Sequence, residues 1–166
     1  LGNTFAGCYG FTTVIISYEL SCDPWNAVHP MHMEDVTTAF GWVHEHIREY
    51  GGNPEHIFVF GQSAGGHLVS LLATDPRYLA RLGLPSTVIR GVISMSGAYD
   101  LYDLVEFPDN PLGLDLEGTA LYRVLCAGAF GGFDEPRLDD ASPARYVRPD
   151  QPPFHLIYAW EDMPGF

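Results

Sequence analysis

Four short apolar runs punctuate the chain, and helical patterns lie between them. The first, FTTVIISYEL (residues 11–20), is rich in β-branched and aromatic residues and predicts a strand buried on both faces. A turn-rich linker, SCDPWNAVHP, leads into MHMEDVTTAFGWVHEHIREY (31–50). There Met33, Val36, Phe40, Val43 and Ile47 recur at spacings of three and four, which makes one apolar helix face. Gly51, Gly52, Asn53 and Pro54 stop that helix. HIFVF (56–60) predicts a second buried strand, followed by a helical pattern from Ala64 to about Thr74 with Leu68, Leu71 and Leu72 apolar. DPRYLARLGLP reads as a turn, a short helix and a break, and VIRGVISMSG (88–97) and FHLIYAW (154–160) predict two more strands. Strands separated by helices imply parallel crossovers and an α/β layer fold.

Residues 100–150 interrupt the alternation, being rich in Pro, Gly and Asp with one helical stretch around 119–129. Within a single domain spanning 1–166, a connection this long predicts a lid or excursion over a site, with a loosely ordered loop as the alternative. Its Phe107, Leu112, Leu114, Leu116, Tyr122 and Phe130 fit an apolar acyl or aryl pocket and equally fit a packed cap.

Composition narrows the function classes. A chain of 166 residues, 46% hydrophobic, is enough for one real core. A net charge of −13 and the absence of lysine argue against nucleic acid as a partner. No segment approaches the roughly 18 uninterrupted apolar residues of a membrane span. Cys8, Cys22 and Cys126 are scattered without a C-x-x-C, so they read as buried free thiols rather than a disulfide set or a zinc site. His44-Glu45-His46 puts two imidazoles two residues apart, where they splay around a helix and cannot share a metal. No metal or other cofactor is implied. Any targeting signal is expected upstream of Leu1.

The chemistry concentrates in Gly61-Gln62-Ser63-Ala64-Gly65. This is the G-x-S-x-G nucleophile-elbow pattern, and it lies between a predicted strand and a predicted helix, as that pattern requires. A serine at so sharp a turn needs small flanking residues and presents Oγ above the strand end. The following helix begins beneath it, so the Ala64 N–H can donate to a developing oxyanion. Gly66 is expected to permit close helix packing. His67, one turn on, reads as a structural histidine, with a general base as the alternative.

On these residues the chain resembles the α/β-hydrolase superfamily, in particular the short esterases related to bacterial feruloyl-esterase-like and arylformamidase-like enzymes. The resemblance runs in order through VIISYEL, HPMHMEDVTTAFGWV, YGGNPEHIFVFGQSAGGHLVSLLATDPRYLA, IRGVISMSGAYDL, ASPARYV and PPFHLIYAWEDMPG. YGGNP with GQSAGG is also similar to carboxylesterases of the cholinesterase type. Glu19 and Gln62 depart from residues common in relatives, arginine and histidine respectively, and Glu19 is expected to weaken a structural ion pair. The resemblance implies a mostly parallel sheet flanked by helices and a small-molecule ester substrate cleaved through an acyl-enzyme on Ser63. It points to Asp162 as the triad acid, with Glu161 its neighbour and Asp100 a secondary candidate. His155 precedes the acid and reads as structural. No suitable histidine follows Asp162, and LGNTFAGCYGF carries no His-Gly-Gly oxyanion loop. The chain is therefore expected to be an internal piece of a longer enzyme. It would lack N-terminal strands with that loop and a C-terminal strand with the catalytic histidine, and be inactive alone. A gap of roughly 10 Å, two strand spacings, is expected beside the elbow strand. Arylformamide hydrolysis and a non-catalytic binding module are the alternatives to ester hydrolysis.

Overall fold

The computed structural model describes residues 2–21, 27–102, 128–132 and 134–159. The elements lying wholly within these segments are, in order, α1 (Gly2–Tyr9), α2 (Met31–His46), β1 (Ile57–Gln62), α3 (Ala64–Thr74), α4 (Pro76–Arg81), β2 (Ile89–Met95), α5 (Glu135–Asp140) and β3 (Phe154–Ile157). Short 3-10 turns at Ile47–Tyr50, Ser86–Val88 and Pro143–Tyr146 join them.

The predicted stripe of α2 is its inner face. Met33, Val36, Phe40 and Ile47 are buried, and Val43 is half-buried. Helix α2 passes at Ile47 into the 3-10 turn, and this helical run stops at the expected glycines, because Gly51 adopts φ 80° and its N–H returns to the Arg48 carbonyl, with the Gly52 N–H on the Ile47 carbonyl. Asp75 starts α4, accepting the Arg77 N–H at 2.9 Å, and Pro76 occupies the first turn, where no N–H is needed.

The three strands pair in parallel in the order β1-β2-β3. Helix α3 packs across β1 and β2, and α2 and α4 pack against α3. Met33, Leu71, Leu72, Leu79, Ile89 and Val92 form the centre of this core. Burying one such side chain contributes about 1.5–3 kcal/mol. A smaller cluster of Ala98, Leu101, Leu138 and Ala141 joins the loop after β2 to α5. The described end of the predicted excursion is thus part of the body: the Leu101 N–H donates to Ser142 Oγ, and the Ala144 N–H donates to the Tyr99 carbonyl. Residues 103–127, with the remaining apolar lid candidates and Cys126, lie outside the described residues, as do Cys22, Glu161 and Asp162.

Two expectations are corrected. Residues 11–20 form no strand, and Phe11 and Ile15 are 62% and 74% exposed. Among the described residues β1 is an edge of the sheet, so the segment has no neighbouring ladder, and β propensity without a ladder and a covered face does not make a strand. For the same reason β1 is not buried on both faces, and Phe58 is exposed. Residues Ser17–Leu20 instead run beside α2, where the Glu19 N–H donates to Asp35 Oδ2 at 2.9 Å. The second correction is Cys8, which is exposed. Helix α1 buries none of its residues and touches the body through rings, Phe5 against Phe60 among them, so its thiol faces outward.

Candidate active site

Ser63 ends β1 and begins α3 at φ 53°, a left-handed conformation rare for a residue with a side chain. It is exposed, as are Gln62 and Ala64. The Ser63 N–H donates to the Met95 carbonyl at 2.8 Å, which ties the turn to the end of β2. The helical ladder starts with the His67 N–H on the Ser63 carbonyl at 3.0 Å. Among the described residues the N–H groups of Ala64, Gly65 and Gly66 are therefore the free donors of the first helical turn, on the same turn as the Ser63 hydroxyl.

The glycines around the serine play different parts. A Cβ on Gly61 would collide with the Gly65 carbonyl and stand 2.7 Å from the Gly66 nitrogen, so the strand can pass under the helix only without a side chain there. At Gly65 a Cβ would meet nothing within 4 Å, so the expectation of small residues on both flanks holds for Gly61 and fails for Gly65. Gly66 does permit close packing: its Cβ would lie 2.8 Å from Ser94 Oγ and 3.1 Å from the Cα of Gly97.

His67 is a buried structural group. Its Nδ1–H donates to the Ala98 carbonyl at 2.9 Å, leaving Nε2 as an acceptor without a partner among the described residues. Burial pushes its pKa down to about 4, partly opposed by that backbone bond, so the ring is neutral near pH 7 and cannot hold a proton taken from Ser63. Phe130 packs edge-on against it, and His29 also packs against the Phe130 ring. His29 bonds Asp140 at 3.1 Å, and burial lowers its pKa despite the carboxylate. Asp140 also takes Arg77, whose guanidinium forks onto the fully buried Asp75 and reaches the Tyr146 hydroxyl at 2.6 Å.

The other candidates are separated from this turn or otherwise engaged. Asp100 pairs with Arg145 at 3.2 Å. His155 is on β3 and exposed, and His46 holds Glu49 at 3.0 Å. Among the described residues no three histidine, cysteine or carboxylate side chains converge to hold a metal. Asp162 follows β3 in the chain, outside the described residues. Sequence reasoning passed over the end of β2. There Ser96 also has a positive φ, 48°, and its N–H donates to the Ile157 carbonyl at 2.8 Å, while Tyr99, Ser94 and Gly66 form a hydrogen-bonded row. The one hint was the Ser-Gly pair at Ser96-Gly97, a second turn signal at a strand's end.

The BD-FAE family model matches residues 4–163. The chain belongs to the BD-FAE family. This BD-FAE chain is 35% identical over 156 residues to a probable carboxylic ester hydrolase, LipM, of Mycobacterium tuberculosis, an alignment covering 92% of the chain and 34% of LipM. Its fold is that of the α/β hydrolases. It superposes on carboxyl esterase 2 of the mycorrhizal fungus Tuber melanosporum with a TM-score of 0.64 and 25% identity, over 90% of this chain and 48% of that one. An esterase of Pyrobaculum calidifontis superposes with a TM-score of 0.63 and 22% identity, over 93% and 49%. The chain thus spans about a third of the length of the curated relatives that match most of it and about half of these solved structures. Among the described residues no helix is long and apolar enough to cross a membrane.

Proposed function

We propose that this region carries the nucleophile of a serine hydrolase acting on small carboxylic esters. The observation that supports it is Ser63 itself: exposed, at φ 53°, on the C-terminal end of a parallel strand and the first turn of a helix. Strain of this kind costs about 1–3 kcal/mol and persists only where the surroundings impose it. The imposed position is the one a nucleophile uses. Oγ attacks the ester carbonyl, and the oxygen that becomes negative meets the free N–H of Ala64. Collapse expels the alcohol, which takes up the proton the base removed from Oγ, and leaves Ser63 acylated; water then releases the acid, and its proton returns through the same base to Oγ. Asp162 is read as the carboxylate that orients the base, which is a histidine not found among the described residues. Relatives named as a probable carboxylic ester hydrolase and as esterases favour an ester over an amide as the substrate.

The test uses the full-length protein. A fluorophosphonate should label it, mass mapping should place the adduct on Ser63, and hydrolysis of p-nitrophenyl acetate should fall on the order of 10⁵-fold in Ser63→Ala. An unlabelled Ser63, or a Ser63→Ala variant that turns over at the wild-type rate, would sink the reading.

A further inference from the structure

The carbonyl of Gly66, in the first turn of α3, accepts two hydroxyl hydrogen bonds. Ser70 Oγ donates from the next turn at 2.7 Å, and Ser94 Oγ donates from β2 at 3.0 Å. Ser94 is completely buried and pairs in the sheet with Gly61. Its own oxygen accepts from the Tyr99 hydroxyl at 2.9 Å. A carbonyl can only accept, so the row runs one way: Tyr99 O–H to Ser94 Oγ, then Ser94 O–H to the Gly66 oxygen. The surrounding glycines leave the space this row fills, since a Cβ on Gly66 or on Gly97 would each stand 2.8 Å from Ser94 Oγ.

We propose that Tyr99 and Ser94 form a strut that sets the height of the nucleophile turn over the sheet, and that they are positioning residues for the reaction at Ser63. The inference rests on the reading of Ser63 as nucleophile. The peptide whose oxygen receives Ser94 is the one whose N–H, that of His67, closes on the Ser63 carbonyl. A shift of that peptide therefore moves the Ser63 backbone, and with it Oγ and the Ala64 donor together. Stability depends little on the strut, because the Gly66 oxygen keeps its Ser70 donor when Ser94 is lost. Reaction geometry depends on it more, since sub-ångström placement is what separates a near-attack arrangement from a poor one.

The experiment compares Ser94→Ala, Tyr99→Phe and the double variant in the full-length protein, with kcat expressed per site titrated by fluorophosphonate. Each single change should lower kcat on p-nitrophenyl acetate about tenfold with KM nearly constant and Tm within about 4 °C. The double variant should be no slower than either single one, because the row is already broken. A wild-type protein that labels at Ser63, with variants turning over at wild-type kcat per labelled site, overturns the strut alone. So does a loss of activity that only tracks loss of folded protein, or two effects that multiply. A wild type that never labels at Ser63 removes the nucleophile reading and the strut with it. Tyr99→Phe keeps the ring and deletes one hydroxyl at a half-buried position, so it decides the matter where Ser94→Ala does not fold.

Discussion

Replacing Gly61 by alanine inserts a methyl group between the last turn of β1 and the first turn of α3. The atoms it meets are backbone: the Gly65 carbonyl, and the Gly66 nitrogen at 2.7 Å. Backbone cannot rotate aside as a side chain can, so the helix start or the strand must retreat by about 1 Å to restore ordinary contact. Both are pinned, the turn by the Ser63 N–H on the Met95 carbonyl and the helix by Ser94 on the Gly66 carbonyl. Overpacking of this kind costs about 1–3 kcal/mol, toward the upper end here because relief breaks a hydrogen bond. A displacement of about 1 Å at a reacting group costs about 100-fold in rate. The same alanine at Gly65 meets open space in a helical position, where it should be neutral or stabilise by up to about 1 kcal/mol. The assay is urea denaturation followed by circular dichroism, together with the rate of fluorophosphonate labelling. Gly61→Ala should shift the midpoint down and label at least about 100-fold more slowly, whereas Gly65→Ala should keep the midpoint. Equal losses in the two variants, or normal labelling in Gly61→Ala, would refute the steric argument.

Two further outcomes follow from buried groups. The His67 pKa is held near 4 in the fold against 6.5 when unfolded, so the unfolded chain binds the extra proton between those values. Stability should therefore be full above about pH 6.5 and fall by on the order of 3 kcal/mol as the pH drops through about 4. His67→Asn, which keeps a donor for the Ala98 carbonyl, should flatten that slope in urea midpoints measured against pH. Arg77→Met strands the fully buried Asp75 carboxylate without its guanidinium and should cost about 3 kcal/mol by the same denaturation assay. Arg77→Lys should recover only part of that loss, because an ammonium cannot fork across both carboxylate oxygens.

The elements that the sequence made legible are those whose burial depends on nearby chain. Helix α2 buries one stripe, from Met33 to Phe40, and helix α3 buries most of its surface, with Leu68, Leu71 and Leu72 at helical spacing within it. The elbow was legible because three local demands coincide in five residues: a strand end, a left-handed serine and a helix start. Residues 11–20 misled because an apolar β-branched run states a preference for burial and says nothing of what will cover it. Cys8 misled in the same way, its type suggesting an interior that α1 does not reach. The row from Tyr99 to Gly66 was invisible because its members are five and twenty-eight residues apart, and only parallel pairing of β1 with β2 brings them together.

That pairing also bears on how the proposed acid and nucleophile can cooperate. Met95 accepts the Ser63 N–H, and the next residue, Ser96, donates to the Ile157 carbonyl. Two consecutive residues at the end of β2 thus join the strand that ends at the proposed nucleophile to the strand that precedes Asp162 in the chain. Neighbouring strands stand about 4.8 Å apart, so β1 and β3, with β2 between them, are separated by about 10 Å. That separation exceeds what one hydrogen bond, about 2.8 Å, can span. An imidazole with a hydrogen bond on each ring nitrogen covers most of that distance, one nitrogen toward the serine and the other toward the acid. On the function proposed above, Asp162 would orient that imidazole rather than deprotonate Ser63 itself.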